Sequence, residues 1–566
     1  MSVLVVKFGG SVLTSESALQ RAVSEIYRYV RDAHKVIAVV SAFKGQTDQL
    51  LRLAGSYTQA SVSSATPHLV ATGEMRAATL LAMACERSGI VTQFRSAYEI
   101  GLVAEGEHLN ANPVSIKAEV LTGDLQTVDL VVVPGYVAEN AEGEPVLLGR
   151  GGSDLTAVYI AQALGVTARL IKDVDAVYDA DPANVGDAAR PYESLSWEEA
   201  VKIAFPVVQG KAMRFAADNG LTVQVAGLAR GYETTLGTET VYRKAQTLKR
   251  PIRIAVMGAG GVGSKFLERC LEWPEMIEVD RILVRDASKR RDHPLAARFT
   301  SDARSFVRND VDVFVDIGTG VSPSAELLEG FLKAGVSVTS ANKQAVAASA
   351  DKLRAAARAS GAMLTYSASV GGGAPIIEAL KRAVAAGHRI KSLAGVLNGT
   401  SNFVIDQVES GKTFDAAMDE ARRLGFAEPD STADLDGTDV GAKLKLLREI
   451  AFPGQTPKHI EVGQITEDSL VIPKGKGLRY VARAYPTANG LEGSMKLEVL
   501  DADHYLVGAR GEQNRAIIEL EHSGDSGGET WYVTGKGAGA WPTSESLLAD
   551  TLQIAREMPS SDASRL

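Results

Sequence analysis

The chain has 566 residues, 45% hydrophobic and 23% charged, with a formal net charge of −9. That is the composition of ordinary globular protein, long enough for about three to four domains, and no basic block is long enough to follow a phosphate backbone, which speaks against nucleic acid as the main partner. The two cysteines, Cys85 and Cys270, lack ligand spacing, so neither disulfides nor zinc are expected, and no leader or long apolar run points to a membrane, which leaves a cytoplasmic protein acting on small molecules.

The first element is the apolar run Val3–Val6, which leads into Lys7-Phe8-Gly9-Gly10-Ser11. A lysine beside two glycines after a buried strand places an ammonium next to backbone N–H groups that phosphate oxygens can approach closely. Val36–Val40, Val128–Val133, Arg169–Ile171 and Leu221–Val225 read as further strands, and Ser17–Ala33, Glu74–Ser88, Ser153–Leu164 and Trp197–Phe205 as helices, which is an α/β layer pattern. Within it, Leu148-Gly149-Arg150-Gly151-Gly152-Ser153-Asp154 opens a helix with a carboxylate at its start, and Lys172-Asp173-Val174-Asp175-Ala176-Val177-Tyr178-Asp179-Ala180-Asp181-Pro182 is an acidic loop after a strand. Thr47 and Glu74 suit helix caps as well as a site, and Asp179 and Asp181 suit turns as well as nucleotide contacts.

Tyr242–Pro251 is polar, basic and closed by proline, and a new strand begins at Ile252, so the chain divides there. The expected domains are 1–241, a linker at 242–251, a dinucleotide domain at 252–375, a substrate and dimerisation domain at 376–540, and a closing helix at 541–566. Gly258, Gly260 and Gly263 satisfy G-x-G-x-x-G between that strand and a helix at Ser264–Leu271, the arrangement that rests a pyrophosphate on a helix N-terminus. After the next strand come Arg285, Asp286, Lys289, Arg290 and Arg291. The acidic residue suits the ribose hydroxyl of NAD and the basic cluster the 2′-phosphate of NADP, with NADP favoured. Asp439 and Lys443 are four apart on a predicted helix and so share one face, either at one site or as a surface ion pair. Leu478–Ala484, Ser494–Leu500 and Ala516–Leu520 read as antiparallel strands, and Thr543–Glu557 as a helix capped by Thr543 or Ser544.

KFGGS, Val39–Asp48, ATGE (71–74), GYV (135–137), LGRGGSD and KDVDAVYDADP together resemble aspartate kinase of the amino-acid kinase family over roughly residues 1–240. The resemblance implies ATP and Mg²⁺, with Lys7 neutralising the transferring phosphoryl group and Gly9 and Gly10 near the nucleotide. Arg150, Glu74 and Asp154 would bind the amino acid with Ser41 and Thr47 in support, and Asp173 and Tyr178 would face the nucleotide. This chain departs from the family at Lys172, where threonine is usual, near Ala183, where arginine is, and at Val207–Lys211.

Residues 252–557 resemble homoserine dehydrogenase, on Ser340-Ala341-Asn342-Lys343, Ser367–Pro375, Asn398–Phe403, Gly425–Lys443 and the 535–543 stretch. The resemblance implies Lys443 as the proton-transfer residue, Lys343 assisting near the nicotinamide, and Glu428, Asp434 and Asp439 binding the amino group or orienting the lysine. Val262 and Thr319 join the three glycines, Arg285, Lys289, Arg290 and Lys343 at the coenzyme. A monovalent cation, Na⁺ or K⁺, would sit on backbone carbonyls of Ser367, Val370, Gly372 and Ala374, with Ser367 in place of a usual glutamate. The implied fold is an amino-acid kinase domain, then a Rossmann domain, then an α+β domain. The order matches fused aspartokinase–homoserine dehydrogenases acting on aspartate and on aspartate semialdehyde or homoserine toward threonine and methionine, as homodimers or homotetramers. Such relatives usually carry ACT regulatory domains between the halves; a ten-residue linker leaves no space for them, so little feedback control is expected. The second reading is a homoserine dehydrogenase whose kinase half is non-catalytic.

Overall fold

The computed structural model describes residues 2–57, 63–186, 189–203, 207–228, 232–243, 250–290, 292–424, 426–427, 431–521 and 528–558. The chain forms two compact units, Met1–Arg250 and Pro251–Met558.

In the first unit the described residues build a nine-stranded sheet. Its centre runs Val223–Gly227, Ala168–Lys172, Ser2–Phe8, His34–Val40 and Leu130–Pro134, all parallel, with the short Thr92–Phe94 at the edge. These strands are almost wholly apolar because both sheet faces are covered. Val5, Ile37, Val39, Val131 and Val133 pack with Leu155 and Val158 of the helix Gly152–Leu164, while the alternate residues Leu4, Val6, Val36 and Ala38 are also buried. Parallel strands place their C-terminal ends on one edge, and the glycine turn after Phe8 and the acidic loop after Lys172 therefore emerge side by side.

The second unit begins with a six-stranded, all-parallel sheet. Numbered within the sheet its order is 3-2-1-4-5-6, the doubly wound order, and the reversal falls between Ile252–Met257 and Val313–Asp316. A six-stranded, mostly antiparallel sheet follows, in which Lys476–Thr487 and Gly490–Asp501 form a long hairpin and Arg389–Val396 pairs with Gln513–Glu521. The closing helix runs Ala540–Glu557, three residues earlier than its expected start, with Gly539 rather than Thr543 or Ser544 at the cap. Pro542 tolerates the first turn, where its missing N–H has no partner to lose, so a seryl cap is not needed. Arg269 of the helix Gly261–Cys270 meets Glu545 of this closing helix at 2.9 Å, both about 1% exposed. The expected helix Trp197–Phe205 is Trp197–Lys202, with 204–206 outside the described residues.

Candidate active sites

Lys7 pairs with Leu170 across the parallel strands Ser2–Phe8 and Ala168–Lys172. Side chains alternate along a strand, so Lys172, two residues beyond Leu170, leaves the sheet on the same face as Lys7. Between them stands Asp154, in the first turn of Gly152–Leu164. Lys7 Nζ lies 2.6 Å from Asp154 Oδ1 and Lys172 Nζ lies 2.8 Å from Oδ2. Burial on its own raises a carboxyl, but here Lys7 and Lys172 outweigh it and hold Asp154 well below the usual carboxylate range. Gly9 admits this arrangement: a Cβ there would stand 2.8 Å from Lys7 Nζ.

Glu74 sits within the helix Thr66–Arg87, fully buried, so it is no cap. Burial pushes its carboxyl up to about 8, against the Ala42 N–H (2.7 Å to Oε2), the Lys7 charge and the Thr47 hydroxyl. The buried Ser41 donates its N–H to Phe8 O at 3.1 Å, and a Cβ on Gly10 would be 3.3 Å from Ala42 O, so these two loops are held close. Tyr136, at φ +70°, also belongs here, since Glu74 and Asp48 add to the burial that raises its phenol. Arg150 stands apart. It is exposed and lines a cavity of about 710 Å³ with Lys211 and Arg214. All three hydrogens of the Lys211 ammonium are engaged by Asn110 Oδ1, Ala111 O and Leu148 O. Asp173 is exposed, and Tyr178 donates to Asp175 Oδ1 at 2.7 Å. Asp179 accepts from Arg190 N and Nε, eleven residues further along the chain.

In the second unit Gly258 takes φ +101°, with a built Cβ only 2.6 Å from Ile317 O, and Gly263 would clash with Gly258 O at 2.4 Å. The space above Gly260 and Gly261 is open at the N-terminus of the helix Gly261–Cys270, whose first turn, with half-buried Val262, has N–H groups without an intrahelical acceptor. A pyrophosphate fits such a cradle. Thr319 is exposed in the loop after Val313–Asp316, across the strand reversal. Asp286 accepts from Ser288 N and Oγ, and Lys289 reaches it at 3.8 Å; Ser288 and, less, Lys289 lower its carboxyl. Arg285 and Lys289 are exposed. The Arg290 side chain and Glu428 lie outside the described residues.

Lys343 opens the helix Lys343–Ser360, at the C-terminal edge of the parallel sheet, and Asp439 and Lys443 share a face of Thr438–Ala451. Both members of the latter pair are buried, which rules out a surface ion pair. Lys443 Nζ lies 2.9 Å from Asp439 Oδ2 and donates to Leu397 O at 2.6 Å, while Lys343 pairs with Asp439 Oδ1. Asn398 donates from one amide nitrogen to Asp434 at 2.7 Å and to Asp439 at 2.8 Å, and its oxygen accepts from Ser401 N, which fixes the amide's orientation. Lys443 is lowered by burial, with Lys343 adding and Asp439 opposing. Burial is overridden at Asp439, which Lys443 and Lys343 hold far below the usual range, and prevails at Asp434, which is raised. The cluster thus holds a lysine of softened basicity at a fixed point, the requirement for proton transfer near neutral pH.

Residues 375–552 match the family model for homoserine dehydrogenase, 258–367 that of the homoserine dehydrogenase NAD binding domain, and 2–227 that of the amino acid kinase family. The homoserine dehydrogenase of Pseudomonas aeruginosa is 32% identical over 332 residues, 56% of this chain and 75% of that protein. The chain belongs to the homoserine dehydrogenase family. The Corynebacterium glutamicum homoserine dehydrogenase is 31% identical over 326 residues, 54% of this chain and 72% of its own. Among solved structures, the Thiobacillus denitrificans homoserine dehydrogenase covers 55% of this chain and 76% of that one at 29% identity, with TM-score 0.49. The homoserine dehydrogenase is therefore preceded by an amino-acid kinase domain, and the fold is α/β, Rossmann and α+β in that order.

Two carbonyls of the expected cation loop are already engaged: Ser367 O accepts from Val370 N and Gly371 N, and Ala374 O from Ile376 N. The sequence assigns no role to Asn398, although it begins the Asn398–Phe403 motif, and marks Lys172 only as a departure from the family pattern. The signal available for Asn398 was its helix-cap position; for Lys172 there was none beyond the strand register.

Proposed function

We propose that the second unit interconverts aspartate semialdehyde and homoserine with NADP, and that the first phosphorylates the side-chain carboxylate of aspartate with ATP. The observation that carries the first part is the Lys343–Asp439–Lys443 cluster, with two cations on one buried carboxylate beside the parallel-sheet edge. The dinucleotide, when bound, supplies or accepts the hydride. Lys443 gives a proton to the alkoxide oxygen that forms from the aldehyde, and in the reverse direction takes the hydroxyl proton of homoserine. Asp439 keeps the ammonium aimed, Asn398 keeps Asp439 aimed, and Lys343 adds positive charge where negative charge develops. Asp434, tied by Asn398, is placed for the amino end of the substrate. The exposed Arg285 and Lys289 support NADP over NAD, since they can pair with a 2′-phosphate, while Asp286 has its Oδ1 on Ser288.

The kinase part rests on the Lys7–Asp154–Lys172 group beside Glu74. Among the described residues no three His, Cys, Asp or Glu side chains gather for a metal, so Mg²⁺ would arrive with the nucleotide phosphates, which is its common mode. Residues 228–257 separate the two family matches, too few for an intervening regulatory domain. Separate assays of aspartate-dependent ADP formation and homoserine-dependent NADP reduction test the two parts. Oxidation without ADP formation would leave a homoserine dehydrogenase carrying a silent kinase half.

A further inference from the structure

Lys7 alone suffices to neutralise Asp154, yet a second lysine is buried on the same carboxylate. Inside the buried group the charges do not balance: two ammonium groups face one carboxylate, burial raises the Glu74 carboxyl to about 8 so that it carries little charge near neutral pH, and Asp173, whose charge also acts on Lys172, stands exposed in solvent where it is screened. An excess charge in a nearly dry site is destabilising unless an anion completes it. The geometry also leaves a direction open. Asp154 is 1% exposed at the floor of the group, whereas the Lys7 and Lys172 side chains keep 8% and 10%, so the accessible side of the group is cationic. It opens at the strand ends, beside the Gly9–Gly10 turn and the exposed Asp173.

We propose that Lys172 is a second phosphoryl-binding cation of the kinase site, holding the terminal phosphate of the nucleotide together with Lys7. This rests on the kinase reading and adds a ligand contact to it. In the transfer, the bond from the terminal phosphorus to the bridging oxygen breaks, ADP leaves with its electron pair, and a bond forms to the acceptor carboxylate oxygen. Lys172 neither gains nor loses a proton; it stabilises the charge spread over the phosphoryl oxygens. Burial, with the Lys7 charge adding, lowers the Lys172 ammonium, and a bound phosphate relieves both effects.

The test is calorimetric binding of ATP and of AMP, each with Mg²⁺, to the full chain as wild type, Lys172→Met and Lys172→Arg, together with aspartate-dependent ADP formation. Loss of a charge-assisted contact to the terminal phosphate should weaken ATP by about ten- to a hundredfold and leave AMP unchanged, with Arg restoring most of the difference. AMP binding also reports that the nucleotide pocket is intact. Unchanged ATP affinity in Lys172→Met, or equal losses for ATP and AMP, overturns the proposal, as does a failure of wild type to bind ATP. If ATP binding depends on Lys172 but wild type forms no ADP with aspartate, the phosphate site stands and the kinase reading falls.

Discussion

Replacing Asp439 with Asn is the sharpest test of the dehydrogenase site, because among the described residues that carboxylate is the one that pairs with both lysines. The amide is isosteric and can still accept from Asn398. What disappears is the attraction that opposes burial at Lys443. At the 2.9 Å separation a unit charge in a medium of effective dielectric about 20 contributes about 6 kcal/mol. At about 1.4 kcal/mol per pKa unit that bounds the further fall of Lys443 at about four units, and relaxation and water entry leave an expected fall of one to two. Lys443 must be protonated to reduce the semialdehyde and neutral to oxidise homoserine. The alkaline limb of reduction and the acidic limb of oxidation should therefore both move to lower pH, with rates at the optimum down by about 10²–10⁴. Initial rates in both directions between pH 5 and 10 measure this. Stability will fall too, by about 3–5 kcal/mol, since the buried Lys443 loses its counter-charge, while Lys343, 35% exposed, is partly solvated and adds less. The double variant Asp439→Asn, Lys343→Met removes the second cation and should recover part of the stability. A slow variant whose two limbs stay where wild type has them would refute the assignment of Lys443 as the titrating proton-transfer group.

Lys7→Ala should abolish aspartate-dependent ADP formation and spare homoserine oxidation, because Lys7 lies wholly within the first unit; comparable loss of both activities in a folded variant contradicts two independent sites. Neutralising Arg285 and Lys289 together should weaken NADP much more than NAD, and equal losses in coenzyme titrations, or a native preference for NAD, remove the NADP assignment. Glu74→Gln should stabilise the chain at pH 8 and change little at pH 5: the folded state holds a proton up to about pH 8 that the unfolded state releases near its ordinary value, so the wild type loses stability as pH rises across that window. Calorimetric melting at the two pH values checks the sign, and a gain confined to pH 5 would reverse it.

Much of this protein is legible in its chain because the relevant rules are local. Apolar runs followed by glycine turns mark strands that end in tight turns, and at Gly263 the side chain is excluded by the Gly258 carbonyl five residues before it, a limit set by nearby backbone. The spacing of Asp439 and Lys443 places them on one helix face whatever else the chain does. Charge state and partnership are not local. Lys343 meets Asp439 only because a strand-end helix of the Rossmann sheet and a helix of the following domain converge there. Asn398 becomes a bridge only when Asp434 and Asp439 are both folded against it. Lys172 reads in sequence as a replacement for threonine, yet parallel register puts it on the Lys7 face and over Asp154. Glu74 reads as a ligand, with a cap as the second reading, until burial removes the cap, and burial is a property of everything packed around a residue rather than of its neighbours in sequence.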